Sequence, residues 1–423
     1  MSLFTSRPRW QLNCEWLALF SLTICFVVNM FSISLTTIFY FFSFLLILFS
    51  GNWRARFQKI SNNFAAFSFW ILFTLFVIGT FYSVSPTDRI TLDLRDQNWL
   101  LITPFLIMII KEDRWRQRMI NAFLAIMIIT LAISFLKTIF HLHPISAMHF
   151  YKPRPQHKGF LWDHITQSYA MNIAAFICAY RFIFENKSKL LYGILFLLMT
   201  VDIIFISEGR TGYGIFFLLL LYLSWVRFRW RGLSAAITLT ILMIGIAFFA
   251  SSVFQARIKS TYINTVYYHQ MREHNQSTSV GKRIQMLQVT KILFQKRPWF
   301  GYGTGGIETP IKTIVPYKDR ALLLSNTNSV ESIYLNYALQ FGVVGLMIFL
   351  LMLTIQIRTS FQLPKDYRYL MHIVLIATLF GGLFCSFFNN FPVKHVFALF
   401  SALCFSALQS NSFQQHNIGK KII

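Results

Sequence analysis

The sequence predicts an all-α, polytopic membrane protein with about twelve transmembrane helices. Of its 423 residues, 55% are hydrophobic and only 13% are charged, and the mean hydropathy is +0.53. A helix needs about 20 apolar residues to cross the hydrocarbon core of a bilayer, and apolar runs of this size recur along almost the whole chain. This composition excludes an ordinary soluble domain.

Twelve apolar runs are predicted as spans. The first follows the basic stretch MSLFTSRPRWQLN, but a second run comes at once and no small-residue cleavage site separates them, so we expect an uncleaved first span. The runs lie near residues 15–30, 33–50, 64–83, 97–110, 119–140, 165–183, 190–207, 212–226, 233–253, 333–356, 370–387 and 393–409.

Lys and Arg concentrate in alternate loops between these runs. The basic loops are RPR, WRARFQK, KEDRWRQR, ENKSK, RFRWRG, IRTSFQLPKDYR and the terminal KK. Because Lys and Arg mark the cytoplasmic loops of membrane proteins, both termini are predicted to be cytoplasmic. The net charge of +24 then reflects loops that face anionic lipids, and a nucleic-acid partner is not expected.

The predicted outer face carries one large loop between spans nine and ten. The corresponding segments are 1–253 for spans one to nine, 254–332 for the periplasmic loop with short helices, 333–410 for spans ten to twelve, and 411–423 for a cytoplasmic tail. The loop holds eleven Lys or Arg against four acidic residues. This excess indicates an anionic ligand, and the alternative is a generally basic surface.

Within this loop, SVGKRIQMLQVTKILFQKRPWF predicts a short amphipathic helix that ends at Pro298. Arg283 is expected in its first turn, where free N–H groups and the helix dipole favour an anion and a guanidinium group suits phosphate oxygens. The apolar residues at the spacing of one helical face are Ile284, Leu287, Val289, Ile292 and Leu293.

A glycine-rich stretch, GYGTGG, follows that helix. It lacks the Lys-Ser/Thr of a nucleotide-binding loop and no strand precedes it. The stretch instead predicts a turn with unusual backbone angles, formed by Gly301, Gly303, Gly305 and Gly306.

Ionisable residues also interrupt the junction of spans seven and eight, in VDIIFISEGRTGYGIFF. Arg210 is expected at or just below the outer membrane surface and Asp202 deeper, where charged groups are usually paired or functional. One alternative is an ion pair of Arg210 with Glu208 or Asp202, and such a pair is compatible with a ligand contact.

Neither a metal site nor a disulfide framework is expected. His141, His143, His149, His157 and His164 cluster in the first outer loop, but their spacing matches no metal signature. We interpret them as surface or acceptor-binding residues. The cysteines, Cys14, Cys25, Cys178, Cys385 and Cys404, lie in or beside spans without CxxC spacing.

Three stretches then occur in a characteristic order. SEGRTGYG precedes a span, SVGKRIQMLQVTKILFQKRPWFGYGTGG lies in the large loop, and ESIYLNYALQFGVVGL enters the next span. In this order and placement they resemble the O-antigen ligase family of integral membrane glycosyltransferases, which also includes O-antigen and exopolysaccharide polymerases. The resemblance covers roughly residues 200–350 by motif.

This resemblance implies an enzyme of the bacterial inner membrane whose active site faces the periplasm. The implied reaction moves a glycan from undecaprenyl diphosphate to an acceptor hydroxyl without a metal or other cofactor. In ligases the acceptor is the lipid A core, and in polymerases it is another lipid-linked glycan. The family arginines that bind the diphosphate correspond to Arg210 and Arg283. Arg257, Lys282 and Ser332 are further candidates for substrate binding.

Glu331 stands where the family carries its catalytic His, counted back from Gly342 and Gly345. A carboxylate also accepts protons, and partial burial beside Ile333 and Tyr334 would make it a more useful base. The alternatives are that Glu331 orients the acceptor, that it is a solvated residue at a helix start, or that the base comes from the loop. The candidate loop bases are His269 and His274.

Three functions remain open from the sequence. A ligase is the first interpretation, and an acidic residue at position 331 also favours a polymerase, because polymerase-like members of the family carry one there. A transporter of lipid-linked glycans is the alternative from another class. Transporters concentrate polar features near the midplane, commonly in repeated halves, whereas here the polar chemistry lies in one outer loop and no repeat is evident.

Overall fold

The chain is organised as a bundle of helices. The computed structural model describes residues 8–140, 163–207, 209–250, 279–315 and 330–408, together with 255, 259, 262, 263 and 266. Within these residues the helices are α1 (Arg9–Val28), α2 (Ile33–Phe49), α3 (Trp53–Ser61), α4 (Phe64–Thr80), α5 (Thr87–Asp96), α6 (Asn98–Ile109), α7 (Asp113–Ile139), α8 (His164–Phe184), α9 (Lys189–Val201), α10 (Arg210–Ala250), α11 (Ser279–Lys296), α12 (Glu308–Ile314), α13 (Ile333–Ser360), α14 (Lys365–Phe384) and α15 (Phe391–Phe405).

The helices confirm the predicted all-α, polytopic membrane class. In the described part of the chain, six helices are long and apolar enough to cross a membrane, and shorter apolar helices accompany them. The long helix α10 is interrupted at Arg229, where φ is 55°, so its two parts fall on the eighth and ninth predicted spans. The count of twelve stays a prediction.

Four of the predicted cytoplasmic segments lie together at one end of the bundle: the N-terminal part, the loops after α2 and α6, and the end of α15. Glu15 of α1 accepts hydrogen bonds from Arg56 after α2, at 2.9 Å, and from Lys111 after α6, at 3.0 Å. Arg116 near the start of α7 donates to the Ser406 hydroxyl after α15, at 3.0 Å. Helix ends that are far apart in sequence therefore meet here, as an alternating in-and-out path requires.

The glycine-rich turn packs at the opposite end of the bundle, against α4 and α13. The φ angles of Gly301, Gly303 and Gly305 are 64°, 80° and 71°. Gly306, the fourth glycine of the predicted turn, does not have a positive φ. The Thr304 amide donates to the carbonyl of Gly79 near the end of α4, at 3.1 Å. The turn therefore connects α11 to the core of the bundle.

Helix α13 bends sharply at Gly342, where φ is 66° and ψ is −158°. The rings of Tyr337 and Phe349 stack with centroids 4.2 Å apart, although a straight helix would separate these residues by about 18 Å at 1.5 Å per residue. The predicted span near 333–356 is therefore interrupted at Gly342. The segment before the bend folds over the one after it.

The glycine-rich turn supplies the hydrogen bonds that this bend leaves open. The amides of Val343 and Val344 donate to the carbonyls of Pro298 and Trp299, at 2.8 and 3.3 Å. In return, the amide of Gly303 donates to the Gln340 carbonyl at 2.7 Å. Unpaired backbone groups are costly away from water, so the turn and the bend stabilise each other.

Gly342→Ala is expected to destabilise the protein. A Cβ atom at this position would lie 2.3 Å from the carbonyl carbon and oxygen of Trp299, and the backbone conformation there, which is almost restricted to glycine, costs an L-residue about 1–3 kcal/mol. The thermal unfolding midpoint in detergent should fall clearly. Gly245→Ala is the matched control, because a Cβ there meets nothing within 4 Å. Equal midpoints for the two variants would contradict the prediction.

Candidate active site

Arg283 of α11 and Glu331, just before α13, form an ion pair at the end of the bundle opposite the basic loops. The Arg283 Nε donates to the Glu331 Oε2 at 3.1 Å. The Arg283 Nη2 also donates to the carbonyl of Phe384 at the end of α14, at 3.4 Å. The side chains remain 32% and 55% exposed. Two residues singled out by different motifs thus meet where a ligand has access to both.

The exposure of Glu331 corrects one expectation from the sequence. We expected partial burial beside Ile333 and Tyr334, yet Glu331 is exposed and its described partner is Arg283. The helix itself begins at Ile333, and Ser332, which is 4% exposed, holds the N-cap position. Glu331 therefore precedes the first turn and projects from the loop.

Asn336 fixes the short segment that carries Glu331. Its side-chain amide donates to the carbonyl of Val330 at 2.8 Å, and its side-chain oxygen accepts from the amide of Val330 at 2.9 Å. Ile333 packs against α14 near Gly382, and the Tyr334 hydroxyl donates to the Leu379 carbonyl at 2.9 Å. No pattern in the sequence marks Asn336, because its contact with Val330 is defined only by the fold.

Helix α11 carries Arg283, but not in its first turn, where the sequence predicted it. The helix begins at Ser279, so Arg283 is its fifth residue and lies beyond the first turn. Met286, Val289 and Leu293 form the buried stripe and pack with residues such as Tyr302 and Val330.

Two residues of the predicted apolar face of α11 point away from the protein. Leu287 is 53% exposed and Ile292 is 44% exposed. Met286, Val289 and Leu293 follow each other at spacings of three and four residues and form the buried stripe, whereas Leu287 and Ile292 lie to either side of it. The predicted face was therefore too broad.

The helix that carries Arg210 begins near this ion pair. Arg210 is the first residue of α10, and the hydroxyl of the next residue, Thr211, lies 3.8 Å from the Cys385 Sγ. Cys385 in turn directly follows Phe384, whose carbonyl binds Arg283. The start of α10, which carries Arg210, thus lies beside the end of α14 that Arg283 contacts.

The start of α8 completes this region. Asp163 caps α8 by accepting from the amides of Ile165 and Thr166, both at 2.7 Å. The Thr166 hydroxyl also accepts from the side-chain amide of Asn390, in the segment that joins α14 to α15, at 3.0 Å. Helices α8, α10, α11, α13 and α14 therefore contribute to a single polar region, which we call the outer site.

Asp202 lies below the outer site in a fully buried hydrogen-bond network. It belongs to a single π-helical turn, Asp202–Ile206, after α9. The Ser207 hydroxyl donates to its carboxylate at 2.8 Å, and the Gln167 amide donates at 3.3 Å. Both of these donors are neutral side chains, so these contacts hold the Asp202 carboxylate by hydrogen bonds and not by an ion pair. Glu208, the other predicted partner of Arg210, lies outside the described residues.

Asp93 of α5 is a further site-supporting residue that the sequence analysis missed. Its carboxylate accepts from the amide of Gly305 at 2.8 Å and from the side chain of Gln340. Burial raises the pKa of the Asp93 carboxyl. Nearby, Arg89 pairs with Glu308 at 2.7 Å. Helix α5 therefore holds the glycine-rich turn, and through it the segments that carry Arg283 and Glu331.

Several predicted site residues lie outside what the structure describes. Arg257, His269 and His274 are among them, and the position of Lys282 is described only as part of α11. Of the histidines in the first outer loop, His141, His143, His149 and His157 also lie outside the described residues. His164 is the first residue of α8. Within the described residues, no group of three or more His, Cys, Asp or Glu side chains is arranged to hold a metal ion.

The comparisons with known proteins agree with the motifs. Residues 194–350 match the family model described as O-antigen ligase, and Arg210, Arg283 and Glu331 all fall inside this segment. None of the curated proteins compared matches the chain. The family resemblance predicted from the motifs is thus confirmed over this segment.

Proposed function

Because residues 194–350 match the O-antigen ligase family, we propose that this chain is a bacterial inner-membrane glycosyltransferase with its active site on the periplasmic face. It moves a glycan from undecaprenyl diphosphate to an acceptor hydroxyl, without a metal or cofactor. The observation that carries the proposal is the 3.1 Å contact between Arg283 and Glu331, which brings a phosphate-binding group and a proton acceptor into one exposed place.

The outer site supplies a group for each part of this reaction. The acceptor oxygen attacks the anomeric carbon while its proton passes to the Glu331 carboxylate. The bond from the sugar to the diphosphate breaks, and its electron pair leaves with undecaprenyl diphosphate. Arg283 and Arg210 stabilise the charge that develops on this leaving group, which fixed cations do best where water is scarce.

Ligation to the lipid A core of lipopolysaccharide is the first candidate for the acceptor step. The alternative is polymerisation, in which another lipid-linked glycan accepts, and the observation that favours it is Glu331 at the family His position. The third candidate is a transporter that moves lipid-linked glycans without forming a bond. The fixed proton acceptor beside a cation supports bond formation over transport.

The lipopolysaccharide banding pattern of a deletion strain separates these candidates. A ligase predicts that glycan is no longer attached to the core while lipid-linked polymer accumulates. A polymerase predicts that the ladder of chain lengths collapses while single repeats are still attached. A pattern identical to the parent strain would contradict both, and restoration by the wild-type chain is the control. Formation of a glycosidic bond by purified protein in detergent would exclude a transport-only role.

A further inference from the structure

The ion pair at the outer site joins two groups that the proposed reaction uses separately. Arg283 is proposed to bind the diphosphate, and Glu331 is proposed to accept the proton of the incoming hydroxyl. In the structure the Nε atom of Arg283 instead donates to the Glu331 Oε2 at 3.1 Å. A carboxylate oxygen thus occupies a position that suits a phosphate oxygen, because both are anionic acceptors for the same planar donor.

We propose that the donor diphosphate displaces Glu331 from Arg283 and thereby frees the carboxylate for the acceptor hydroxyl. Binding of each substrate then favours binding of the other. This inference rests on the proposed function and adds a coupling between its two substrate subsites. The ligand class that opens the pair is a diphosphate, either free or linked to a lipid.

The strength of the pair suits such an exchange. Both side chains are partly exposed, Glu331 more than half, and exposed ion pairs contribute only about 0.2–1 kcal/mol. A diphosphate carries more negative charge than one carboxylate and can offer two oxygens to the guanidinium group. The ligand therefore wins the competition for Arg283, whereas in its absence the internal carboxylate keeps the position.

A second contact keeps Arg283 in place during the exchange. Its Nη2 donates to the Phe384 carbonyl at 3.4 Å, separately from the Nε that binds Glu331. The guanidinium group can therefore change partners at Nε without leaving the end of α14. Glu331 also stays close, because Asn336 holds Val330 through two hydrogen bonds.

The coupling must act in both directions. If the donor frees Glu331 for the acceptor, then the acceptor that holds Glu331 away from Arg283 must raise the affinity for the donor by the same factor. Without a donor, the Glu331 carboxylate is shared with Arg283 and is less available to the acceptor hydroxyl. Activation of the acceptor hydroxyl is then favoured, by about 1.5- to 5-fold, in molecules that already hold a donor.

Binding of inorganic pyrophosphate to the full-length protein in detergent tests this inference without any transfer reaction. Glu331→Gln removes the competing charge, so its affinity for pyrophosphate should rise about 1.5- to 5-fold, the factor that corresponds to an exposed pair of 0.2–1 kcal/mol. Glu331→Ala should show the same rise and excludes a substitute contact from the amide. Titration calorimetry at low ionic strength measures both.

Glu185→Gln is the matched control. Glu185 follows the end of α8 that lies away from the outer site, pairs with Arg181 at 3.6 Å and is 47% exposed, and its substitution changes the net charge equally. Its pyrophosphate affinity should equal that of the wild type, which separates release of Arg283 from a general gain of positive charge. A rise of equal size in Glu185→Gln would overturn the inference.

Arg283→Ala separates failure of the coupling from failure of the proposed function. If Arg283→Ala leaves pyrophosphate binding intact, Arg283 does not bind the diphosphate and the proposed role of Arg283 is wrong. If that variant loses binding but neither Glu331 variant gains affinity, only the displacement of Glu331 is wrong. If Arg283→Ala loses pyrophosphate binding and the Glu331 variants gain pyrophosphate affinity, both the role of Arg283 and the displacement of Glu331 are supported.

Discussion

Glu331→Gln is expected to lower the rate of glycan transfer by about 10²- to 10⁴-fold, the usual contribution of a positioned general base. Glutamine keeps the size and hydrogen-bonding shape of the side chain but cannot accept the proton of the acceptor hydroxyl. Protein amount and unfolding midpoint should stay near wild type, because the exposed pair with Arg283 adds about 1 kcal/mol at most to stability. Transfer by purified protein from a lipid-linked donor measures the rate.

The same variant should bind pyrophosphate more tightly while it transfers more slowly. This combination is diagnostic, because a variant that was merely misfolded would lose both properties. Glu185→Gln, which breaks a similarly exposed pair with Arg181 at the end of α8 away from the outer site, should retain the wild-type rate. If Glu331→Gln transfers at the wild-type rate, Glu331 is not the base, and His269 or His274 becomes the next residue to test.

Local sequence patterns were sufficient for the overall class of the fold. Apolar runs predicted the helices because a membrane-spanning helix is determined by its own length and hydropathy. The alternation of basic loops predicted which helix ends meet, and the contacts of Glu15 with Arg56 and Lys111 lie at that common end. The ordered motifs of roughly residues 200–350 likewise predicted the family whose model matches residues 194–350.

Contacts between distant segments could not be predicted in this way. The bend at Gly342 depends on backbone hydrogen bonds from Pro298 and Trp299, and hydropathy alone shows a continuous apolar helix there. Asp93 binds Gly305 across a large sequence separation, and nothing in its own neighbourhood marks it. The pattern in α11 failed for a related reason, since which apolar residues are buried depends on the partner surface.

The glycine-rich turn shows why these long-range contacts matter for the site. It directly follows α11, which carries Arg283, and it bonds to the part of α13 that begins beside Glu331. Asp93 and Gln340 hold the turn from the other side. The distance between the Arg283 and Glu331 side chains therefore depends on the backbone hydrogen bonds of this turn. The sequence motifs are the separate segments that these hydrogen bonds join.

Arg283→Ala is expected to lower transfer by about 10²- to 10³-fold, taking oxyanion-type donors as the guide. The guanidinium group stabilises a charge that develops only as the bond to the diphosphate breaks, so the loss should fall on the rate of the chemical step as well as on donor binding. Arg210→Ala is expected to act in the same direction, because its helix begins beside the same end of α14. Single-turnover kinetics with a lipid-linked donor distinguish the rate from the affinity.

Arg283→Lys and Lys291→Ala make this expectation specific. Lysine keeps the charge but offers a single donor point in place of a planar fork, so it cannot bind a diphosphate and the Phe384 carbonyl in the geometry that Arg283 uses. Its rate should lie between those of the alanine variant and the wild type. Lys291→Ala removes a cation from the exposed side of the same helix and should leave transfer unchanged. Equal losses in Lys291→Ala and Arg283→Ala would mean that the basic surface of α11 acts as a whole, and Arg283 would then have no individual role in leaving-group stabilisation.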